Sequence, residues 1–257
     1  METGIGVLGV GSLTESVVKG LRRGGYTGPI MLSPRNADRS AALAENFGCQ
    51  VMPDNQAVVE AARTVILGVR PADVATVAQA LSLTEEHRVI SLVAGLELAA
   101  LNNLFAPAQS VRVMLSVASE INATTVALCP PAEWAQTLLA PLGNIFPLAH
   151  EEQLDVATVG ACMNGWFYYF LQTLQDWYEQ QGLSSEQARL VVTSSMKDCL
   201  AYAGQQSAQT FKTIGDSIAT PGTYTALGVD ELVKGGALDA WPDVCTRTLA
   251  ALRERMS

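Results

Sequence analysis

Gly4-Ile5-Gly6-Val7-Leu8-Gly9-Val10-Gly11-Ser12-Leu13-Thr14 is the stretch that decides the fold. A short apolar run ends in a glycine pair and passes at once into a helical pattern over Leu13–Arg23. Working outward, Ile30–Leu32 reads as a second strand, followed by a helix at Ala37–Phe47 and a short strand at Cys49–Met52. Thr64–Val69 is a continuous apolar strand stopped by Arg70-Pro71, and a helix follows over Ala72–Leu81. Further strands are expected at Arg88–Val93 and Val111–Leu115, with Thr125–Leu128 and Asn144–Phe146 flanking a helix at Ala132–Leu139. Continuous apolar strands separated by helices mark a parallel sheet covered on both faces.

After about Glu151 the character changes. Val156–Gln181, Ser185–Ala203, Ala208–Ile214, Val229–Lys234 and Asp239–Arg255 all read as helices. Gly182 stops one helix, and Ser184 or Ser185 caps the next. The expected architecture is therefore α/β: a Rossmann-type, doubly wound sheet over residues 1–150, then an all-helical domain over 151–257.

The 257 residues carry a formal charge of −9, and 49% are hydrophobic against 16% charged, with a mean hydropathy of +0.20. Such a chain can bury a large core, which excludes wholesale disorder. Its acidity argues against binding to nucleic acid and against docking on anionic lipid. Five scattered cysteines form no C-x-x-C pair, and with only His87 and His150 beside them no metal site is expected. Reduced thiols, and opening residues without a basic n-region, fit a cytoplasmic protein. No charge occurs between Asp155 and Asp176, but Thr158, Asn164, Gln172, Thr173 and Gln175 interrupt that stretch, so a helix in a subunit interface or domain core is expected rather than a membrane span.

A glycine pair between strand and helix lets the backbone approach a pyrophosphate, which rests on the helix N-terminus. Gly9, Gly11, Ser12 and Leu13 are thus expected to hold a dinucleotide, although Thr14 stands where a small third residue is usual. An NAD site places an acid about 20 residues further on. Here the second strand ends in Leu32-Ser33-Pro34-Arg35-Asn36, and Ser33, Arg35 and Asn36 suit a 2′-phosphate by hydrogen bonds and charge. Arg39, Arg22 and Arg23 are candidates for nearby charge, so NADP is favoured over NAD.

A dehydrogenase acting on a hydroxyl needs a general base, and the helical half offers none in a convincing setting. Lys197, Lys212 and Lys234 sit on helix-surface patterns, while His87 and His150 read as ordinary surface residues. That lack points to reduction of a C=N bond, which needs mainly orientation and one hydrogen-bonding group. In Ala219-Thr220-Pro221-Gly222-Thr223-Tyr224-Thr225, Thr220 is a good helix cap and Pro221 suits the first helical position, leaving N–H groups able to bind a carboxylate.

Taken together, these segments resemble the pyrroline-5-carboxylate reductase family through nearly the whole chain. Ile5-Gly-Val-Leu-Gly9-Val-Gly11 matches its opening, and Val65-Ile-Leu-Gly68-Val-Arg70-Pro71 is similar to V-I-L-A-V-K-P. Ile90-Ser91-Leu-Val-Ala94-Gly95 is similar to I-S-I-A-A-G, Val111–Met114 to V-R-V-M, and Ala219–Thr225 to T-S-P-G-G-T-T. The resemblance implies reduction of a cyclic imine acid to proline with NAD(P)H, and helical domains interlocked into a homodimer with the active site at their junction. It implies that Thr225 hydrogen-bonds the substrate nitrogen, and that Thr220 lies near the carboxylate. Val69, Arg70, Pro71, Ala94 and Gly95 would border the nicotinamide.

The departures gather where substrate is expected. P-N-T-P becomes Leu115-Ser116-Val117-Ala118, S-G-S-G-P-A-Y becomes Ala161-Cys162-Met163-Asn164-Gly165-Trp166-Phe167, and G-G-T becomes Gly222-Thr223-Tyr224. Gly222, Thr223 and Asn164 join Thr220 as the expected substrate contacts in a bulkier pocket. The leading expectation is an NADPH-dependent imine reductase for pyrroline-5-carboxylate or a related imine. The alternatives are a non-catalytic dinucleotide-binding dimer acting as sensor or interaction module, and a hydroxyacid dehydrogenase, which would need a base in Val156–Gln175.

Overall fold

The computed structural model describes residues 4–254, so Met1–Thr3 and the last expected helical residue, Arg255, lie outside the described residues. Eight strands form one sheet: β1 (Gly4–Leu8), β2 (Ile30–Leu32), β3 (Gln50–Val51), β4 (Ala62–Leu67), β5 (Arg88–Ser91), β6 (Gln109–Met114), β7 (Thr124–Cys129) and β8 (Gly143–Pro147). Their order is β3-β2-β1-β4-β5-β6-β7-β8. The chain winds one way from β1 to β3, then returns beside β1 at β4 and winds the other way, which is the doubly wound plan.

Side-chain alternation along these strands feeds two cores. Ile5, Val7, Ile66 and Ile90 bury on one face, whereas Leu8, Val65, Leu67 and Val89 bury on the other. Helices α1 (Ser12–Arg23), α2 (Ala37–Phe47), α3 (Asn55–Ala61), α4 (Val74–Gln79), α5 (Leu98–Leu104) and α6 (Glu133–Leu139) supply the covering layers. α2 matches the sequence reading because its ends are marked: Asn36 Oδ1 accepts the Arg39 N–H, and Gly48 closes the last turn.

The structure corrects the sequence reading in several places. β7 runs antiparallel to β6, with Val113 opposite Leu128, because the link between them is too short for a parallel crossover. α3 was not expected; Asp54 Oδ1 caps it by accepting the Ala57 N–H at 2.8 Å, and β4 then begins at Ala62, ahead of the expected Thr64. α5 was likewise not expected. The helix expected over Ala72–Leu81 is a 3₁₀ turn at Pro71–Asp73 followed by the short α4.

Residues 4–161 together with 249–254 form one compact unit, and Cys162–Thr248 form the other. The sequence boundary at 150/151 coincides with the start of α7 (Glu151–Gln180), whose first three turns belong to the sheet unit. There Arg112 of β6, almost wholly buried, pairs with Glu151 and lies 3.3 Å from Asp155 Oδ1. Glu151 also accepts the Leu98 N–H at 2.6 Å.

Helices α8 (Ser185–Gln205), α9 (Phe211–Ile218), α10 (Tyr224–Lys234) and α11 (Ala237–Glu254) complete the chain. Within the second unit Trp241 packs against Phe167 and Phe170, at ring-centroid separations of 5.7 and 6.3 Å. No helix among the described residues is long and apolar enough to cross a membrane.

Candidate active site

β1 and β4 are neighbours at the point where the winding reverses, and all the loops after β1, β2, β4 and β5 emerge at the same edge of the sheet. A crevice of about 570 Å³ opens there. Its lining brings together the expected Gly9, Gly11, Ser33, Arg35, Asn36, Val69 and Arg70. Ser12 and Leu13 are not part of its lining; they follow Gly11 in the first turn of α1, where N–H groups have no intrahelical partner. Pro71, Ala94 and Gly95 are not part of its lining, although the turn holding Ala94 and Gly95 follows β5 at the same edge.

Gly9 has φ +88°, and a Cβ there would lie 2.8 Å from the Gly68 carbonyl oxygen, so only glycine makes this turn without displacement. At Gly11 a Cβ would meet nothing within 4 Å; this part of the turn faces open space, as a bound pyrophosphate requires. Thr14 does not spoil the turn. Its buried hydroxyl accepts the Gly11 N–H at 2.8 Å and lies 2.8 Å from the Gly9 oxygen, tying the loop to the first helical turn. Space for its methyl comes from Gly68, where a Cβ would lie 2.2 Å from Thr14 Cγ2.

The polar residues after β2 are more occupied than their sequence suggests. Ser33 Oγ accepts the Gly9 N–H at 2.9 Å, and Asn36 Nδ2 donates to the Val10 oxygen at 3.0 Å. Both side chains therefore shape the turn. Arg39 pairs with Glu15, and Arg22 donates to the carbonyls of Tyr26, Gly28 and Phe47. Arg22 and Arg23 also stand at the far end of α1, about 15 Å from its start, so the expectation of crevice charge from them is corrected. Arg35 remains: its guanidinium reaches Asp73 Oδ2 at 2.7 Å and its side chain is 71% exposed.

Burial alone would push the Glu15 carboxyl up, but hydrogen bonds from Lys19 and Arg39 outweigh it and hold the group below the usual carboxylate range. Burial pushes the Cys49 and Cys129 thiols up, which keeps them protonated and inert. Sequence reasoning missed Asp38, Asn55, Gly68 and Asp73 in the crevice lining. The Asp54-Asn55 capping pair was the available signal for Asn55.

In the second unit, Thr223 is the true cap of α10. Its Oγ1 accepts the Ala226 N–H at 3.1 Å and donates to the Thr220 carbonyl at 2.8 Å. The expectation that Thr220 caps and Pro221 starts the helix is thus corrected: Gly222, at φ +87°, turns the chain first. Tyr224 is 93% exposed, and Thr225 follows it in the first turn, also exposed. A cavity of about 600 Å³ is lined by Gly222, Thr223, Tyr224 and Asp230, among others, but not by Thr220, Thr225 or Asn164. Asn164 is exposed on α7.

No lysine or histidine lies in α7, so the base a hydroxyacid dehydrogenase would need there is missing. Lys212 and Lys234 pair with Asp216 and Glu231 on helix surfaces. His87 is held in its turn, with Nδ1 accepting the Thr84 N–H at 2.9 Å.

Two family models match the chain in succession. Residues 4–95 match "NADP oxidoreductase coenzyme F420-dependent", and residues 151–255 match "pyrroline-5-carboxylate reductase dimerisation". Pyrroline-5-carboxylate reductase of Pseudomonas aeruginosa is 31% identical over 205 residues, covering 75% of this chain and 75% of that protein. The fold is shared with the 1-pyrroline-5-carboxylate reductase of Streptococcus pyogenes, at a TM-score of 0.86 and 22% identity over 98% of both chains. It is shared too with the Plasmodium falciparum pyrroline carboxylate reductase solved with NADP bound, at 0.89 and 18% identity over 100% of this chain and 99% of that one. With the Pseudomonas aeruginosa relative 31% identical over 75% of its length, this chain belongs to the pyrroline-5-carboxylate reductase family.

Proposed function

We propose that the protein reduces pyrroline-5-carboxylate to proline, using NADPH in preference to NADH, as a step of proline biosynthesis. The observation that carries this reading is the turn from Gly9 to Gly11, open on its ligand side and braced on the other by Ser33 and Thr14. A dinucleotide fits it: Gly9, Gly11 and the free N–H groups of Ser12 and Leu13 face the pyrophosphate, and Arg35 offers charge for a 2′-phosphate. Ser33 and Asn36 hold the turn in the shape that receives it. Val69, Arg70 and Pro71, with Ala94 and Gly95, border the nicotinamide.

When bound, NADPH supplies a hydride to the imine carbon and leaves as NADP⁺. Thr225 orients the imine by a hydrogen bond to its nitrogen, which gains its proton from water. Thr220, Gly222, Thr223 and Asn164 hold the rest of the substrate. A protonated imine is already electrophilic, so positioning supplies most of the acceleration, in accord with a site that offers no lysine or histidine base.

A second copy of the chain completes the protein as a homodimer. The match to a dimerisation family and the exposure of Tyr169 (80%) and Phe211 (82%) support this. Five free cysteines support a reducing, cytoplasmic setting.

The test follows NADPH oxidation by absorbance with pyrroline-5-carboxylate, with NADH in parallel. Turnover of roughly 1–1,000 s⁻¹ is expected, and Thr225→Ala should lower kcat sharply. Intact NADPH binding without turnover would overturn the substrate assignment.

A further inference from the structure

The corner of the crevice between β2 and the Pro71–Asp73 turn carries an inference that rests on the NADPH reading. Of the cations near it, Arg39 is taken by Glu15 and Arg22 by backbone carbonyls. The amide of Asn36 is committed to the Val10 oxygen. Arg35 and Arg70 are the guanidiniums in the crevice lining; Arg35 is the one that follows β2, and Asp73 lies against it, Nη1 to Oδ2 at 2.7 Å. Both residues line the crevice, and Asp38 adds a second carboxylate to the same lining. The two cations of the lining, Arg35 and Arg70, are matched by two anions, one of which already holds Arg35.

We propose that Asp73 is a cofactor-specificity residue that opposes NADPH: it occupies the guanidinium that a 2′-phosphate would need and adds a negative charge beside it. A 2′-phosphate carries up to two negative charges at neutral pH. To hold it, Arg35 must turn its fork from a carboxylate already in place, and the phosphate must approach Asp38 and Asp73. NADH, with a 2′-hydroxyl, meets neither cost. The chain therefore combines an NADP-type arginine with a carboxylate that lowers the preference the arginine creates.

The test compares kcat/KM for NADPH over that for NADH in the unmodified protein and in Asp73→Asn, Asp73→Glu and Arg35→Ala. Asp73→Asn should raise the ratio by about two- to fivefold, the range of an exposed ion pair. Asp73→Glu should keep it low, and Arg35→Ala should reduce it about tenfold or more. Calorimetry with adenosine 2′,5′-bisphosphate and ADP gives a readout independent of turnover. Asp73→Asn should favour the bisphosphate, and the gain should shrink with added salt. A ratio that stays level or falls in Asp73→Asn overturns the proposal while leaving the NADPH reading intact. If Arg35→Ala leaves both the kinetic and the calorimetric ratios unchanged, the 2′-phosphate is not read at this corner and the NADPH reading itself fails.

Discussion

The two units of the chain spend their apolar residues in different ways. The sheet unit seals its own interior: Leu8, Leu21, Leu67, Leu101 and Phe105 are each fully buried. Among the described residues of the second unit, Ala188 and Val192 are the buried hydrophobics, while Tyr168, Leu200 and Phe211 are largely open. A sheet with helices on both faces closes its core within one chain. Helices whose apolar surface exceeds what they bury on one another need a further partner. Local defects in the first unit should therefore cost a fixed amount, and defects in the second should depend on protein concentration.

The largest effect tests the second unit. Replacing Tyr168 and Tyr169 together by Asp should convert the protein to single chains in sedimentation and abolish the concentration dependence of Tm. An unchanged dimer would mean that this face of α7 is covered by nothing. In the first unit, Arg112→Met leaves Glu151 and Asp155 without their counter-charge and should cost about 3–5 kcal/mol in urea unfolding, independent of concentration.

A smaller effect sharpens the account of the sheet unit. Gly68→Ala drives a methyl into Thr14 and should cost about 1–3 kcal/mol. Adding Thr14→Ser removes the obstructing Cγ2 and keeps the hydroxyl that holds Gly9 and Gly11, so the double variant should recover most of the loss in both stability and NADPH affinity. The smallest effect is on acid stability. The Glu15 carboxyl is depressed in the folded state, so its contribution is present above the ordinary carboxylate range and is lost as pH falls through the folded value. Glu15→Gln should flatten the fall of Tm below roughly pH 5, by less than about 1 kcal/mol.

How much was legible in the sequence follows from how far each feature reaches along the chain. β1, β2 and α2 are marked by local signals, namely apolar runs, the Asn36 cap and Gly48, and they stand where those signals put them. α3 and α5 are only seven residues each and lack a long periodic face, so neighbouring strand patterns masked them. At α10 two threonines three residues apart both suit a cap, and the turn at Gly222 decided for Thr223. The glycine turn was legible because strand, glycines and helix are contiguous. The occupation of Arg22, Ser33 and Arg35 was not, since their partners lie in other turns and loops, as with Arg35 and Asp73 of the Pro71–Asp73 turn. Gly68 facing Thr14 is likewise a contact between strand end and helix start that no local window contains.

That last contact also has an evolutionary direction. A lineage with alanine at position 68 and a small residue at position 14 could not gain threonine in one step, because the two methyl groups would collide. Glycine at 68 has to come first, and once Thr14 has followed, a return to alanine is barred until position 14 shrinks again. The pair acts as a ratchet: threonine at 14 is tolerated only where 68 is glycine, and alanine at 68 only where 14 is small, so substitutions at the two sites should be inherited in that order.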